Sequence, residues 1–408
     1  MTKPAPNGVF DSLLDASVPE SEQNCHDGDS ARRRADDADS TAFEGGDAPR
    51  RPEVSPSEPG DPSTGAGPAH QAAGEPDNRG GRPKQGGQQM RRDKRDVHGW
   101  VILDKPIGMT STHAVAVIKR LFKAKRAGHA GTLDPLASGG LPIAMGEATK
   151  TVPFVMDGRK RYRFTVCWGE ERDTDDTEGR ATQTSATRPT AEAIRALLPQ
   201  FTGNIEQTPP QYSAIKIAGE RAYDMARDGE VVPLVPRPVV IHELALVDQP
   251  DRDHSVFEAE CGKGTYVRAL ARDIGRLLGC YGHISALRRT LVGPFGEADM
   301  IPLEQLEALC DRAASGEGNL ADAMLPVETA LDDIPALAVT RADAARLHRG
   351  QAVLLRGRDA PSVSGTVYVT VAGRLLALAE IGNGELIPKR VFNLTGLVAS
   401  PARSNESN

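Results

Sequence analysis

Apolar and polar positions alternate in readable patterns only from residue 98 onward. HGWVILDKP, at 98–106, reads as a strand closed by a Lys-Pro turn. In STHAVAVIKRLF, residues Ala114, Val117, Ile118 and Leu121 fall on one helical face, with Ser111 placed to cap it. GHAGTLDPLASGGLPIAMGEATK then keeps neither period for long and holds five glycines and two prolines, the composition of a loop or a set of turns. RKRYRFTVCWG alternates as a strand, TAEAIRALLPQF reads as a short helix, and RPVVIHELALVD and SVFEAECG read as strands. GTYVRALARDIGRLLG returns to helix. Strands and helices mix without regular alternation and no 20–50-residue repeat is present, so the body is expected to be α+β over 98–300. A weaker stretch, 301–325, reads as a linker. Within 326–396, RADAARLHRG is helical and TVYVTVAG with RLLALAEIG forms a hairpin, a small mostly-β second domain.

The first 90 residues lack this patterning. They are poor in aromatic and β-branched residues and dense in Pro, Gly, Ser, Asp and Glu, so they bury too little apolar surface to offset ordering entropy. Residues 1–97 are therefore expected to be a disordered acidic tail, and 397–408 a second, short one. Charge sharpens the division. Residues 1–90 hold 16 acidic against 9 basic side chains, a net −7 that equals the formal charge of all 408 residues. Of the remainder, 91–300 carries 30 basic against 27 acidic residues and 301–408 carries 10 against 13. A mildly basic body thus stands behind an acidic segment, and the overall charge does not exclude nucleic-acid binding. The basic run Arg91, Arg92, Lys94, Arg95 reads as a solvated linker.

Five cysteines (Cys25, Cys167, Cys261, Cys280, Cys310) are odd in number and show no C-x-x-C spacing, which speaks against a disulfide framework or a zinc site. No apolar run approaches a membrane span and the N-terminus lacks a signal-peptide core, so a cytoplasmic protein with no metal or other cofactor is expected.

The residue best suited to chemistry is Asp134, in Gly128-His129-Ala130-Gly131-Thr132-Leu133-Asp134-Pro135-Leu136-Ala137-Ser138-Gly139. Glycines let a backbone approach a ligand and Pro135 fixes the chain after the carboxylate. The competing reading is an Asp-Pro turn whose carboxylate caps its own backbone.

That loop resembles the signature of TruB-type pseudouridine synthases. Four more blocks of the family stand in the expected order: LDKPIGMTS at 103–111, KRYRF at 160–164, TPPQYSAIKIAGERAYDMAR at 208–227, and GTYVRALARDIG with HISALRRT between 264 and 290. Resemblance covers about residues 98–396. Ala130 stands where the family often has Thr and Gly140 where a bulkier residue is usual.

The resemblance implies a mixed-sheet catalytic domain with an RNA-clamping insertion at about 208–238, carrying Lys216, Arg221, Arg227 and Arg237, and a PUA-like C-terminal domain. It implies tRNA as partner, with uridine 55 of the T-arm isomerised by a monomer that requires no protein partner and no membrane. Asp134 becomes the carboxylate that starts glycosidic cleavage, and Arg268 the catalytic counter-charge that holds it ionised. Tyr162 and Tyr266 would face the extruded base, His129 would touch RNA beside it, Leu287 would wall the uracil pocket, and Lys105 and Pro106 would support the loop. Arg346, Arg349, Lys389 and Arg390 would meet phosphate from the second domain. A guide-RNA-dependent relative, an RNA-folding chaperone and a phosphate-handling enzyme are the alternatives. The insertion, the intact Asp134, Tyr162, Tyr266 and Arg268 set, and the lack of a Walker-type Lys-Ser/Thr argue against them in turn.

Removing residues 1–90 is expected to leave the melting temperature and turnover unchanged. A fall in either would show that the segment packs or contacts substrate.

Overall fold

A strand that is apolar without interruption has to be covered on both faces. β1 (Val97–Lys105) is such a strand: Val101 and Leu103 enter one core with Ile143 and Phe164, while Trp100 and Ile102 enter a second with Phe295 and Val327. The computed structural model describes residues 94–213, 216–217, 220–221, 233–355 and 364–399, all within one unit, Gly86–Asn408. The expected acidic tail lies outside the described residues up to 93, and Val97, counted with it, already belongs to β1.

In chain order the body adds α1 (Ser111–Leu121), β2 (Ala127–His129), β3 (Ser138–Met145), α2 (Val152–Asp157), β4 (Lys160–Trp168), β5 (Glu170–Arg172) and β6 (Ala181–Thr184). It continues with α3 (Ala191–Leu197), β7 (Gly203–Gln207), β8 (Lys216–Ile217), β9 (Glu220–Arg221), β10 (Arg237–Asp248), β11 (His254–Cys261), α4 (Val267–Leu277), β12 (Gly282–Val292) and β13 (Ile301–Pro302). A ten-stranded mixed sheet runs β13-β1-β3-β12-β4-β11-β10-β7, with β2 added to β3. Its helices follow no strand-helix alternation, which is the α+β arrangement the pattern predicts.

Three details depart from the sequence reading. SGGLPIAM, read as loop, is β3: it is buried on both faces and so shows no period. Thr110, not Ser111, caps α1, accepting from the His113 N–H at 3.1 Å. Ser111 is instead buried, and its hydroxyl donates to the Leu133 carbonyl and accepts the Leu133 N–H, both at 2.9 Å. The 301–325 segment expected as a linker holds α5 (Leu303–Ser315), because Leu306 is fully buried in the main core and Gly316, at φ 86°, provides the left-handed stop.

The C-terminal part forms a five-stranded sheet, β14 (Ala336–Ala338), β16 (Gly365–Val371), β17 (Arg374–Gly382), β18 (Glu385–Val391) and β15 (Val353–Leu354) in spatial order. Helix α6 (Arg341–His348) covers one face through Ala344 and Leu347, while Leu375, Leu378 and Phe392 join the core of Trp100. Polar ties reinforce the seam. Lys150 donates to the Val391 carbonyl at 2.7 Å, Glu147 accepts the Asn393 N–H at 2.8 Å, and His98 bonds the Thr395 carbonyl at 2.6 Å. The expected 397–408 tail begins too early: β19 (Leu397–Val398) pairs in parallel with Val97 and His98. Among the described residues no helix is long and apolar enough to cross a membrane.

β3 and β12 pass so closely that Gly139, at φ 99°, faces the Arg289 backbone, and a Cβ there would stand 2.2 Å from the Arg289 carbonyl oxygen. Gly139→Ala is expected to cost roughly 3 kcal/mol in urea denaturation, through overpacking and a disfavoured φ. A change under about 0.5 kcal/mol, usual for a surface position, would show that the strands part freely there.

Candidate active site

Between β2 and β3 the loop 130–137 carries Asp134, and groups behind it fix its shape. Lys105, fully buried, donates to the carbonyls of Pro106 and Met109 at 2.9 Å and of Pro135 at 3.4 Å. Burial pulls its ammonium pKa down to about 8, with Asp134 opposing the shift. Arg289, also buried, reaches the carbonyls of Gly140 at 2.9 Å, Gly131 at 3.1 Å and Thr132 at 3.2 Å. The Gly108 N–H donates to the Pro135 carbonyl at 2.7 Å, and Ser111 clasps Leu133 as described above. Every one of these contacts lies on the backbone, so the Asp134 carboxylate is left to face outward.

It faces Arg268. Nε of Arg268 lies 3.0 Å from Oδ2 of Asp134, and the Asp134 side chain keeps 35% exposure while that of Arg268 keeps 8%. The capped Asp-Pro turn considered from sequence thus gives way to an ion pair open to solvent on one side only. Arg268 is held from its other end as well: Nη1 bonds the Thr174 carbonyl at 2.8 Å and Asp176 at 3.2 Å, and Nη2 bonds the Tyr212 carbonyl at 2.9 Å. A guanidinium fixed at both ends orients the carboxylate as well as neutralising it.

Tyr162 lies on β4 in register with Arg289, and burial raises its phenol pKa while Arg289 pulls against the shift. Tyr266 precedes α4; its N–H donates to Gln207 at 2.8 Å and its carbonyl accepts from the same side-chain amide at 3.1 Å. Its phenol is also raised, chiefly by burial. Both residues are intermediate in exposure, and both phenols sense the Asp134 charge. His129 ends β2; burial first, then the Arg289 charge, lowers its pKa and keeps the imidazole neutral near pH 7. Leu287 is buried on β12 beside Phe164 of β4.

Of the sequence-derived set, Arg268, Lys105, Tyr162 and Tyr266 interact with Asp134, while Pro106 gives its carbonyl to Lys105 and Leu287 lies beside Phe164. From sequence, Asp176, Gln207 and Arg289 carry no role and Ser111 carries that of a cap. Ser111 and Arg289 fall inside the LDKPIGMTS and HISALRRT blocks, and Asp176 inside the acidic run Asp173-Thr174-Asp175-Asp176. Residues 214–215, 218–219 and 222–232 of the clamp insertion, Arg227 among them, lie outside the described residues. In the second domain Lys389 is held by Glu380 at 2.7 Å, which weakens it as a phosphate contact.

Two family models match the chain: the N-terminal domain of the TruB family pseudouridylate synthases over residues 119–267, and the tRNA pseudouridylate synthase B C-terminal domain over residues 268–332. A tRNA pseudouridine synthase B of Rhodopseudomonas palustris is 86% identical over 330 residues, covering 81% of this chain and 89% of its own. One from Agrobacterium fabrum is 59% identical, covering 75% of this chain and 98% of its own. Among solved structures, a Cbf5-Nop10-Gar1 complex contains a chain 25% identical to this one, with a TM-score of 0.57 over 74% of this chain and 85% of that one.

Arg268→Ala is expected to lower turnover, because Asp134 loses the guanidinium that orients it. Arg268→Lys should recover part of the rate, since an ammonium restores charge and not the fork that reaches Asp134, Thr174, Asp176 and Tyr212 at once. Single-turnover rates decide it: wild-type rates in both variants would remove Arg268 from the site.

Proposed function

The chain belongs to the TruB family of pseudouridylate synthases, and from that premise we propose that it isomerises uridine to pseudouridine in tRNA, at position 55 of the T-arm. The observation that carries this reading is the half-open Asp134–Arg268 pair on a backbone-pinned loop. An ionised carboxylate so held can attack the sugar or the base, or stabilise positive charge at the anomeric carbon, when the bond from N1 of uracil to C1′ breaks. The freed uracil turns and rejoins C1′ through C5; the C5 proton leaves and N1 gains one, so the reaction is a net isomerisation.

The target base lies inside a folded arm, so it has to be extruded, at a cost on the order of a few kcal/mol. Tyr162 and Tyr266 offer aromatic surface to replace the lost stacking, Leu287 an apolar wall, and His129 a neutral imidazole beside the loop. The raised phenol pKa values favour neutral tyrosines at physiological pH, suited to hydrogen bonding with the base more than to acting as phenolate bases. In this reading no cofactor or metal takes part, the protein acts as a cytoplasmic monomer, and the 208–238 segment with the C-terminal sheet grips the RNA.

Incubating the protein with an unmodified tRNA transcript and mapping pseudouridine chemically tests the proposal; product elsewhere than position 55, or none, overturns it. Asp134→Asn should abolish product while leaving tRNA affinity within about tenfold, or ~1.4 kcal/mol. Persisting activity in that variant would remove Asp134 from the chemistry.

A further inference from the structure

Helix α4 carries arginines at three successive i,i+4 positions, Arg268, Arg272 and Arg276, which form a stripe along one face. Arg276 is half exposed and pairs two-pronged with Glu171 at 2.7 and 2.9 Å. Arg272 is as buried as Arg268, at 7% exposure, and the mechanism above gives it no part.

Its partners mirror those of Arg268. Nη1 of Arg272 donates to Asp175 at 3.0 Å, Nη2 to the Thr208 carbonyl at 2.7 Å and Nε to Asp273 at 2.7 Å. The two buried arginines therefore grip the same two segments at neighbouring points. On the 173–176 turn, Asp175 goes to Arg272 and Asp176 to Arg268; on the 207–213 strap, Thr208 goes to Arg272 and Tyr212 to Arg268.

The turn is held there against two costs. Asp175 sits at φ 61°, a left-handed conformation unfavourable for a non-glycine residue, and it is 4% exposed. Burial pushes its carboxyl up to about 7, with Arg272 and then Arg268 pulling it back. Its carbonyl accepts the Ile284 N–H of β12 at 3.0 Å, so the turn is anchored to the central sheet as well.

We infer that Arg272 is a positioning residue for the reaction: through Asp175 and the Thr208 carbonyl it fixes the turn and the strap, and so sets the acceptors that aim Arg268 at Asp134. The inference rests on Asp134 and Arg268 being the reacting pair proposed above. Without Arg272 the Asp176 carboxylate and the Tyr212 carbonyl lose their brace, and the guanidinium between them slackens.

Arg272→Ala alone would strand a buried Asp175 and threaten folding. The informative variants are therefore Arg272→Lys and the neutral double variant Asp175→Asn with Arg272→Gln. Single-turnover rate at saturating tRNA transcript, tRNA dissociation constant and melting temperature are measured for each, with Asp134→Asn in parallel.

The double variant is expected to slow single turnover about tenfold or more and to keep tRNA affinity within roughly threefold. Of the groups that interact with Asp134, Arg268 depends on the brace directly and Tyr266 through Gln207 of the strap. Arg272→Lys should recover part of the rate. A folded double variant with wild-type rate overturns the inference, as does a loss confined to tRNA affinity. Should the double variant not fold, Arg272→Lys decides alone: a rate within about twofold of wild type overturns it. An active Asp134→Asn would sink the reacting pair and this inference with it. A dead Asp134→Asn beside wild-type Arg272 variants sinks the inference alone.

Discussion

A guanidinium taken out of water has to find partners for its charge and its N–H groups, and Arg268 finds them in three segments far apart in sequence. The 130–137 loop supplies a carboxylate, the 173–176 turn a carbonyl and a second carboxylate, and the 207–213 strap a carbonyl. Each would be free to move without that centre. The site is thus less a pocket lined by side chains than a junction where backbone is drawn in around one cation.

The same logic operates behind the loop. Among the described residues Lys105 and Arg289 are buried cations without a carboxylate salt bridge, and both donate mainly to main-chain carbonyls. Carbonyl dipoles compensate much of the burial cost without neutralising the charge. Positive charge from Lys105 therefore remains beside Asp134.

How much of this was legible in the sequence depended on exposure. β4, β11 and the arginine-bearing helix each have one wet face and showed their period at once, whereas β3, covered on both sides, did not. α5 was hidden for the opposite reason, since mainly Leu306 of its thirteen residues is buried. Asp134 led the candidates through its glycine-flanked loop, and the long family motif decided against a mere Asp-Pro turn. Asp176 and Arg289 could not be assigned, because their roles are contacts across 92 and more than 140 positions, which no local pattern encodes. Ser111 was read as a cap because the serine type fits one. The hydroxyl was instead needed to close on Leu133, a distance that only the folded chain reveals.

The pairing of β19 with β1 carries a consequence of another kind. The Leu397 N–H donates to the Asp96 carbonyl at 3.0 Å, and Gly396, at φ 98°, allows the close approach. Entry and exit of the described body therefore lie on one strand edge, running the same way. At ~3.3 Å per extended residue, a bridge of about eight to ten residues would join Ala399 back to Lys94. Topologically the body is nearly a ring, and new ends opened in an exposed turn elsewhere would leave its covalent order intact, so this architecture is suited to circular permutation.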